Sequence, residues 1–362
     1  PLVGGSLVYV DNLISESNLK ISVLTDQKNR MNTEKIKFIE HQSIINSSNP
    51  NNLKLLTMYF FLSTLVFFRI RKYDVVILNI SGIGNGILSF LLYFFKSKVI
   101  IFAYAEELTL AMRAKGLKGY IKRFFLKGYK MSNLCISVSD FAKNILTSKL
   151  GVLSEIRVIP TPLHGEKNTH AKITKKSDFF EILSVGRLIR RKGFDLLIDA
   201  FNRVLLSHQK VKLTIIGDGP EYDNIMKMIK SYDLEENIKI LKNVSDKKLN
   251  DYYSSSDLFI LANYMLDNGD CEGAPNVIVE AASFGLPVIA GIEGGTSNVV
   301  DNNITGILLD PKDLFNFSNT ITKLINDEKK LIKMGKESIL KIKNFHSKEK
   351  AGRIFRDYVI NL

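Results

Sequence analysis

Two glutamates eight positions apart, Glu272 and Glu280, stand in the stretch "EGAPNVIVEAASFGLPVIA" at residues 272–290. Carboxylates are seldom buried without a partner that pairs with them or binds them. A proline and a run of small apolar residues between the two acids predict the first turns of a buried helix. The acids are therefore either ordinary charges at the ends of a helix or a pair that is held for a ligand.

Two cations and a glycine precede these acids in the stretch "SVGRLIRRKG", where Gly186, Arg187 and Lys192 follow a predicted strand. These cations, together with the free amides of the helix that begins near Pro275, would bind a diphosphate. Glu280, one helical turn further in, can accept hydrogen bonds from the hydroxyls of a ribose. Each residue alone also fits a plainer role, such as a surface arginine or a helix-starting proline. Their combination favours a nucleotide.

The elements that must position these residues alternate along the chain, in two series separated by a polar stretch. The first series predicts strands over 19–25, 73–79, 98–104, 133–139 and 156–160. The second predicts strands over 180–186, 211–217, 237–241, 257–262, 286–291 and 306–310, with helices over 194–207, 219–231, 246–255 and 276–284. This alternation predicts an α/β fold of two Rossmann-like parallel-sheet domains that face each other across a cleft. Ligands of such sheets bind beyond the carboxyl ends of the strands.

The order of four segments resembles that of the family 4 glycosyltransferases: "SVGRLIRRKGFDLLIDAF", "LTIIGDGPEYDNI", "EGAPNVIVEAASFGLPVIA" and "GGTSNVVDNNITGILLD". The resemblance covers most of 180–312, and the spacing of Glu272 and Glu280 is its most specific element. The first half is similar more loosely, through "PLVGGS", "YDVVILN", "CISVSDFAKNIL" and "VIPTPLH". The resemblance implies the GT-B fold and a retaining transfer of a sugar from a nucleotide sugar.

The same resemblance implies a role for each residue of the candidate site. Arg187 and Lys192 would neutralise the diphosphate leaving group, and Glu272 would hydrogen-bond a hydroxyl of the transferred sugar. Glu280 would hold the ribose. The implied residues that bind the nucleotide sugar are Gly4, Gly5, Gly186, Asn243, Val244, Gly273, Asn276, Val277 and Glu280.

Backbone groups would complete the binding of the nucleotide sugar. The resemblance implies that the amides around Asn276 and Val277 cradle the phosphates with those of Gly4 and Gly5, and that the backbone at 243–244 contacts the base. UDP is the commoner nucleotide in the family, so a UDP-sugar is expected before a GDP-sugar. No Asp-x-Asp stands at a strand end, so we expect no metal and no other cofactor. The segment "EGAPNV" is similar to transferases of bacterial surface polysaccharide synthesis.

The sequence departs from the family's pattern at two places. Tyr104 and Ala105 stand where the family commonly has a His-Gly pair. Glu106 and Glu107 follow them and would either meet the acceptor or the sugar, or favour the start of the next helix. The family's glutamate after the double glycine is Asn298 here.

The charge of the chain is uneven. The net charge is +13, of which the residues 1–170 carry +11 and the remainder +2. A basic first half suggests nucleic acid, a phosphorylated ligand or an anionic lipid surface as partner. Nucleic acid is the weakest of these because no RNA-type aromatic motif or zinc finger is present. Two cysteines without metal-type spacing, Cys135 and Cys271, fit a reducing cytoplasm.

One basic stretch suggests contact with a membrane. Residues 112–130 hold seven basic residues and no acid, interleaved with Leu, Tyr, Ile and Phe. We expect an interfacial helix on an anionic leaflet, close to a polyprenyl-linked or glycan acceptor. The alternative is a solvated basic helix whose aromatic residues pack on the sheet. The apolar stretch 55–68 is too short to span a bilayer, so the expected location is cytoplasmic and peripheral at the inner face of the cell membrane.

The expected domains are an acceptor-binding domain at 1–165, completed by a C-terminal helix at about 346–362, and a donor-binding domain at 166–345. The glycine turn that opens the sequence normally follows a strand, so we expect the first strand of the N-terminal domain to be missing. Two other functions remain open. A nucleotide-sugar epimerase of the same fold would need acid/base histidines, which the matched motifs lack. A non-catalytic GT-B binding or scaffold subunit would be consistent with Tyr104 in place of a histidine.

Overall fold

The computed structural model describes residues 5–19, 21–25, 36–40, 74–79, 82–93, 97–163 and 178–362. The chain divides into two compact units, one of residues 1–159 and 348–362 and the other of residues 160–347. Gly4, the apolar stretch 55–68 and most of the polar stretch between the two series lie outside the described residues.

The first unit contains parallel strands at the predicted places. Its described strands are β1 (Ile21–Thr25), β2 (Ile36–Glu40), β3 (Val75–Leu78), β4 (Lys98–Ala103), β5 (Leu134–Ser137) and β6 (Glu155–Val158). β1 pairs with β2, and the other four form a parallel sheet in the order β3-β4-β5-β6. The strands predicted from apolar runs are confirmed, whereas β2 was missed because "IKFIE" ends in a charge and is short.

The described helices of this unit precede or alternate with its strands, as is usual where strands pair in parallel. They are α1 (Gly5–Ser17), α2 (Gly82–Tyr93), α3 (Ala105–Arg113), α4 (Gly116–Leu126) and α5 (Asp140–Asn144). α2 and α4 pack so closely that a Cβ on Gly86 would lie 1.9 Å from the carbonyl oxygen of Phe125. The glycine in α2 therefore allows the backbones of the two helices to approach closely.

The second unit contains a six-stranded parallel sheet. Its strands are β7 (Phe180–Val185), β8 (Val211–Ile216), β9 (Ile238–Leu241), β10 (Leu258–Leu261), β11 (Val288–Gly291) and β12 (Gly306–Leu309). Alternate residues of β10 enter two cores, Leu258 and Ile260 on one face and Phe259 and Leu261 on the other. Both faces are thus covered, which explains why these strands are continuous apolar runs.

The described helices of the second unit include the four that the sequence predicted and two further ones toward the end of the unit, which it did not predict. They are α6 (Phe194–Leu205), α7 (Tyr222–Ser231), α8 (Asp246–Ser255), α9 (Asn276–Ser283), α10 (Leu314–Ile325) and α11 (Glu328–Phe345). Side chains cap several of them: Ser245 accepts from the amide of Lys248, and Asp313 accepts from the amide of Asn316. Such caps satisfy amides that the helix itself leaves without an acceptor.

The strand order of this sheet is β12-β11-β10-β7-β8-β9, so the order reverses between β7 and β10. These two strands are direct neighbours, with Leu258 paired to Ile182 and Phe259 to Leu183. A sheet of this order leaves a crevice outside the carboxyl ends of the two strands, because the following connections run to opposite faces. The strand order therefore indicates that a ligand would bind at the loops after β7 and β10.

The end of the chain returns to the first unit. The last helix, α12 (Lys348–Ile360), packs on α1. The two helices are so close that a Cβ on Gly352 would lie 2.4 Å from the Cβ of Glu16. Just before it, His346 is buried and its Nδ1 lies 2.7 Å from the carbonyl oxygen of Thr161. Burial lowers the pKa of His346 to about 4, so this histidine is neutral at pH 7. No helix among the described residues has the length and apolar character needed to cross a bilayer.

Candidate active site

The loops that follow β7 and β10 leave the sheet side by side, because parallel neighbouring strands end at the same edge. The three predicted catalytic residues lie in these loops: Arg187 and Lys192 after β7, and Glu272 after β10. The strand order thus brings together residues that are 80 or more positions apart in sequence.

A glycine brings the two loops into contact. Gly193 has φ of 64°, and a Cβ there would lie 2.0 Å from the carbonyl oxygen of Ala262. Both the left-handed backbone and the lack of space require glycine at this position. The short 3₁₀ turn Arg190–Lys192 immediately precedes it. The close approach therefore carries the side chains of Arg191 and Lys192 to the loop after β10.

Glu272 binds two cations of that turn. Its Oε1 accepts a hydrogen bond from Nε of Arg191 at 2.8 Å, and its Oε2 lies 3.0 Å from Nζ of Lys192. Arg191 also donates from Nη1 to Oδ1 of Asp270 at 2.8 Å. The side chains of Lys192 and Glu272 are only 10% and 9% exposed, so this is a buried ion pair.

The neighbouring charges decide the protonation state of Glu272. Burial alone would raise the pKa of its carboxyl group by disfavouring the charged form. The charges of Lys192 and Arg191, and the hydrogen bonds that they donate, outweigh burial and hold the pKa below its ordinary value. Glu272 is therefore ionised at neutral pH, and its charge keeps the ammonium of Lys192 in place. Removing Glu272 would leave the buried ammonium of Lys192 without this counter-charge, whereas removing Lys192 would leave Glu272 with Arg191 as its remaining partner.

The pairing of Lys192 with Glu272 differs from the separate roles that the resemblance implied for them. The two side chains bind each other directly, yet neither is saturated. An ammonium has three donors and a carboxylate about four acceptor positions, so both keep groups for a ligand. Arg191 and Asp270 were missed from the sequence. The sequence shows three consecutive basic residues at 190–192 and two acids at positions 270 and 272. Only the strand order shows that these distant residues meet.

Arg187 stands outside this buried network. Its side chain is exposed, and it forms no ion pair with any residue that the structure describes. The preceding Gly186 donates its amide to the carbonyl of Ile216 at 3.0 Å, and a Cβ on it would lie 3.5 Å from Cε of Lys192. The backbone at the end of β7 thus passes close to Lys192, while the guanidinium of Arg187 keeps its donors for another partner.

The double-glycine loop supports the backbone of Glu272. Gly294 has φ of 78°, and a Cβ on it would lie 2.3 Å from the carbonyl oxygen of Glu272. Gly295 donates its amide to the same oxygen at 3.0 Å. The side chain of Asn263, at the end of β10, donates to Oγ1 of Thr296 at 2.9 Å. These contacts hold the double-glycine loop, which follows β11, against the loop after β10.

Helix α9 begins just after this loop. Pro275 occupies its N-cap with φ of −66° and ψ of 112°, and no described side chain accepts from the first amides. The amides of Asn276 and Val277 have no acceptor within the helix, and they lie at its positive end. Both residues are half-buried, as is Gly273 before them. The start of α9 therefore offers donors for an anion beside the Lys192–Glu272 pair.

Glu280 lies one turn further along α9 and is half-buried. Its Oε2 accepts a hydrogen bond from the hydroxyl of Tyr253 at 3.2 Å, and Tyr253 is fully buried. The tyrosine thus fixes the direction of one carboxylate oxygen.

The predicted base-contacting residues follow β9, two strands away from β7. Asn243 has φ of 51°, a left-handed conformation that asparagine tolerates, and Val244 packs against one core of the sheet. Beside them, Nζ of Lys242 lies 3.1 Å from Oδ1 of Asp218 and 3.2 Å from the ring centre of Tyr222. A polar and aromatic cluster therefore stands at the carboxyl ends of β8 and β9.

In the first unit, Gly5 begins α1. Tyr104, at the place where the resembled family has histidine, is the N-cap of α3 and donates its hydroxyl to Oδ1 of Asn79 at 2.8 Å. Glu106 and Glu107 both lie in the first turn of α3, where a negative charge is favourable.

Comparison with known proteins agrees with the resemblance found in the sequence. Residues 165–341 match the family model described as "Glycosyl transferases group 1". An uncharacterized glycosyltransferase of Haemophilus influenzae is 30% identical over 175 residues, which are 48% of this chain and 46% of that protein. The amylovoran biosynthesis glycosyltransferase AmsD of Erwinia amylovora is 28% identical over 64% of this chain and 62% of its own length. The chain thus spans about half to three fifths of these relatives.

Solved structures are similar over nearly the whole chain. Sucrose-phosphate synthase of Thermosynechococcus elongatus has a TM-score of 0.81 at 18% identity, covering 99% of this chain and 95% of that one. HepE of Anabaena, solved in complex with UDP, has a TM-score of 0.75 at 17% identity, covering 100% and 97%. These likenesses confirm the predicted GT-B fold with its two parallel-sheet units. The match over residues 165–341, just under half of the chain, assigns that part of the sequence to the family of glycosyl transferases of group 1.

Proposed function

We propose that this chain is a retaining glycosyltransferase that moves a sugar from a nucleotide sugar to a glycan or lipid-linked acceptor. The observation that carries the proposal is the buried Lys192–Glu272 pair, which lies between the ends of β7 and β10 and precedes the uncapped start of α9. Cations and free amides at the reversal point of a parallel sheet suit a diphosphate ligand.

The departing diphosphate would be stabilised by charge already in place. When the bond between the anomeric carbon and the diphosphate breaks, its electron pair leaves with the phosphate oxygen. Lys192 has donors beyond the one that faces Glu272, and Arg187 has its whole guanidinium available. Preorganised donors of this kind lower the barrier most where charge develops. Since these cations and the start of α9 can neutralise the leaving group, the proposal includes no metal and no other cofactor.

Three further contacts follow from the positions of the remaining residues. Glu272 would accept from a hydroxyl of the transferred sugar with the lone pairs that Arg191 and Lys192 leave. Glu280 would accept from the ribose hydroxyls, with its carboxylate oriented by Tyr253. The backbone at 243–244 would meet the base. Glu272 is held by two cations and is not assigned as a covalent nucleophile. Retention would follow front-face attack by the acceptor hydroxyl, whose proton would pass to the departing phosphate oxygen.

A UDP-sugar is the proposed donor, with a GDP-sugar second, and HepE in complex with UDP supports the choice. Bacterial surface polysaccharide synthesis is the proposed setting, supported by the name of AmsD, a glycosyltransferase of amylovoran biosynthesis. The proposed location is the cytoplasm, with peripheral contact at the inner face of the cell membrane. No contact with nucleic acid is proposed.

The test is a panel of UDP- and GDP-sugars incubated with the chain, with release of the nucleoside diphosphate as readout. We expect slow hydrolysis of one donor in the absence of acceptor, and the same rate with and without a chelator of divalent cations. If the chelator stops the release of nucleoside diphosphate, only the proposal that the reaction needs no metal would be overturned.

Absence of release from every donor, together with no thermal protection by UDP or GDP, would overturn the transferase proposal. Protection without release would favour the second candidate, a non-catalytic GT-B binding subunit. The observation in favour of this second candidate is Tyr104, which stands where the resembled family commonly has histidine and whose hydroxyl is engaged by Asn79.

A further inference from the structure

Helix α4 presents an apolar face to solvent. Four large side chains on it are exposed: Leu117 by 76%, Tyr120 by 64%, Ile121 by 45% and Phe124 by 51%. Their spacing of three, four and seven residues places them on one side of the helix. No other helix with described side chains exposes as many in so short a length; α11, for example, exposes three over 18 residues.

The orientation of α4 is fixed by its opposite side. Gly119 and Leu126 are its buried residues, and a Cβ on Gly119 would lie 1.9 Å from the carbonyl oxygen of Ala114. Arg123 donates from Nη1 to the same carbonyl oxygen at 2.8 Å. Both contacts join α4 to the end of α3. The apolar face therefore cannot turn inward without breaking this packing, and the guanidinium of Arg123 has a structural role.

Lysines flank this face, and no acid lies nearby in sequence. Lys115, Lys118, Lys127 and Lys130 are exposed and Lys122 is half-buried. The whole stretch 112–130 contains no aspartate or glutamate. The surface thus combines apolar area with positive charge that no acid of the same stretch compensates. We call the face formed by Leu117, Tyr120, Ile121 and Phe124, with Lys118 and Lys122, the α4 surface.

We propose that the α4 surface binds an anionic lipid leaflet, with its apolar side chains at the acyl boundary and its lysines at the lipid phosphates. Apolar contact combined with attraction to anionic headgroups is the chemistry by which interfacial helices bind. A second copy of this chain fits less well. A two-fold interface would bring the same lysines of both copies together, and the stretch 112–130 supplies no acid to pair with them. This proposal rests on the membrane contact proposed above and identifies the surface that makes the contact. Its test does not depend on turnover.

The test is co-sedimentation with vesicles of phosphatidylcholine alone or with phosphatidylglycerol added. The wild-type chain is expected to bind the anionic vesicles at low salt and to be released as salt screens the charges. Lys118→Gln with Lys122→Gln should weaken binding by about fivefold for each lysine lost. The matched control is Lys333→Gln with Lys336→Gln, two exposed lysines of α11, which should leave binding unchanged.

A second pair of variants tests the apolar contribution. Leu117→Ser with Phe124→Ser should weaken binding by about tenfold or more, whereas Leu206→Ser with Phe315→Ser should not. The control residues are exposed by 86% and 71% and lie in the second unit. All four substituted residues are exposed, so circular dichroism and the melting temperature should be unchanged.

Three outcomes would overturn the inference. One is no binding of the wild-type chain to anionic vesicles at low salt, and another is an equal loss in the control variants. The third is a dimer in solution, measured by light scattering, that Leu117→Ser with Phe124→Ser dissociates while vesicle binding stays absent. None of these results would affect the donor-hydrolysis test, so the two proposals can fail separately.

Discussion

Two basic runs look alike in the sequence and differ in the structure. The turn Arg190–Lys192 in the second unit meets acids from the loop after β10, so that Arg191 and Lys192 form a buried network with Asp270 and Glu272. The basic residues around α4 in the first unit meet no acid within their own stretch and flank an exposed apolar face.

The difference shows that the number of charges in a run does not determine its role. A cation whose charge is compensated by a fixed acid can be buried and held in one position, which suits the stabilisation of a charged leaving group. Cations at the surface, free to follow the phosphates of a headgroup, suit a partner without fixed geometry. The comparison predicts that substitutions in the buried network affect folding and turnover, and that those on α4 affect neither.

The largest effect is expected from Glu272→Gln. This substitution leaves Lys192 buried without its counter-charge, and we expect the free energy of unfolding at pH 7 to fall by about 3 kcal/mol. Chemical denaturation measures it. Asp218→Asn is the matched control because Asp218 pairs with Lys242 at the surface, where screening keeps the loss much smaller. If the free energy of unfolding fell equally in the two variants, the buried pair at Glu272 would stabilise the fold no more than the surface pair at Asp218.

The pH dependence of that loss gives a second control. The folded chain holds the pKa of Glu272 below its ordinary value. Its ion pair therefore stabilises the fold fully above the ordinary carboxyl pKa, and this contribution is lost as the pH falls through the lower folded value. The difference between wild type and Glu272→Gln should be constant from pH 7 down to about pH 5 and should shrink only in stronger acid. A difference that grows in acid would contradict the assignment.

The next largest effect is expected from Arg187→Ala. If Arg187 supplies preorganised donors to the departing diphosphate, turnover should fall by about a hundredfold. Because Arg187 is exposed and pairs with no described residue, stability should not change. Arg190→Ala is the control, since Arg190 is a neighbouring exposed arginine in the turn after β7. A similar loss in both variants would indicate a general effect of positive charge.

Glu280→Ala should have a smaller effect, on binding of the donor. Loss of a charged acceptor for the ribose should raise the KM for the nucleotide sugar by about tenfold with little change in kcat. Tyr253→Phe removes only the hydroxyl that orients Glu280, so its effect should be weaker but in the same direction. An unchanged donor affinity in Glu280→Ala would show that the ribose lies elsewhere.

The smallest effect is expected on α4. Lys118→Gln with Lys122→Gln should change the free energy of unfolding by no more than about 0.5 kcal/mol, the usual range for surface substitutions. Lys192→Gln, the same chemical change in the buried network, should cost several times more. Comparable values would remove the distinction between the two basic runs.

Much of the fold could be predicted because its signals are local. Runs such as "KVIIFAY" and "VKLTIIG" became β4 and β8 since both faces of each sheet are covered and favour apolar residues throughout. The proline at position 275 marked the start of α9. β2 was missed because "IKFIE" is a short run that ends in a charged residue.

The candidate site was predictable only in part, because its central contact joins distant segments. The sequence supplied Lys192 and Glu272 through a resemblance, but it could not show that they bind each other. It also passed over Arg191 and Asp270, since no local pattern distinguishes a paired arginine from a surface one. On α4, composition indicated the basic and apolar character, but only the structure showed that Tyr120 and Phe124 face outward and that Arg123 is bound to a backbone carbonyl.

The most direct test of the central claim, that the loops after β7 and β10 bind a diphosphate, is calorimetric titration with UDP and with uridine. We expect UDP to bind at least about a hundredfold more tightly than uridine, because only UDP engages the cations and the start of α9. Arg187→Ala should reduce this difference, whereas Arg190→Ala should preserve it. Equal affinities for UDP and uridine, with no binding of GDP either, would contradict the account.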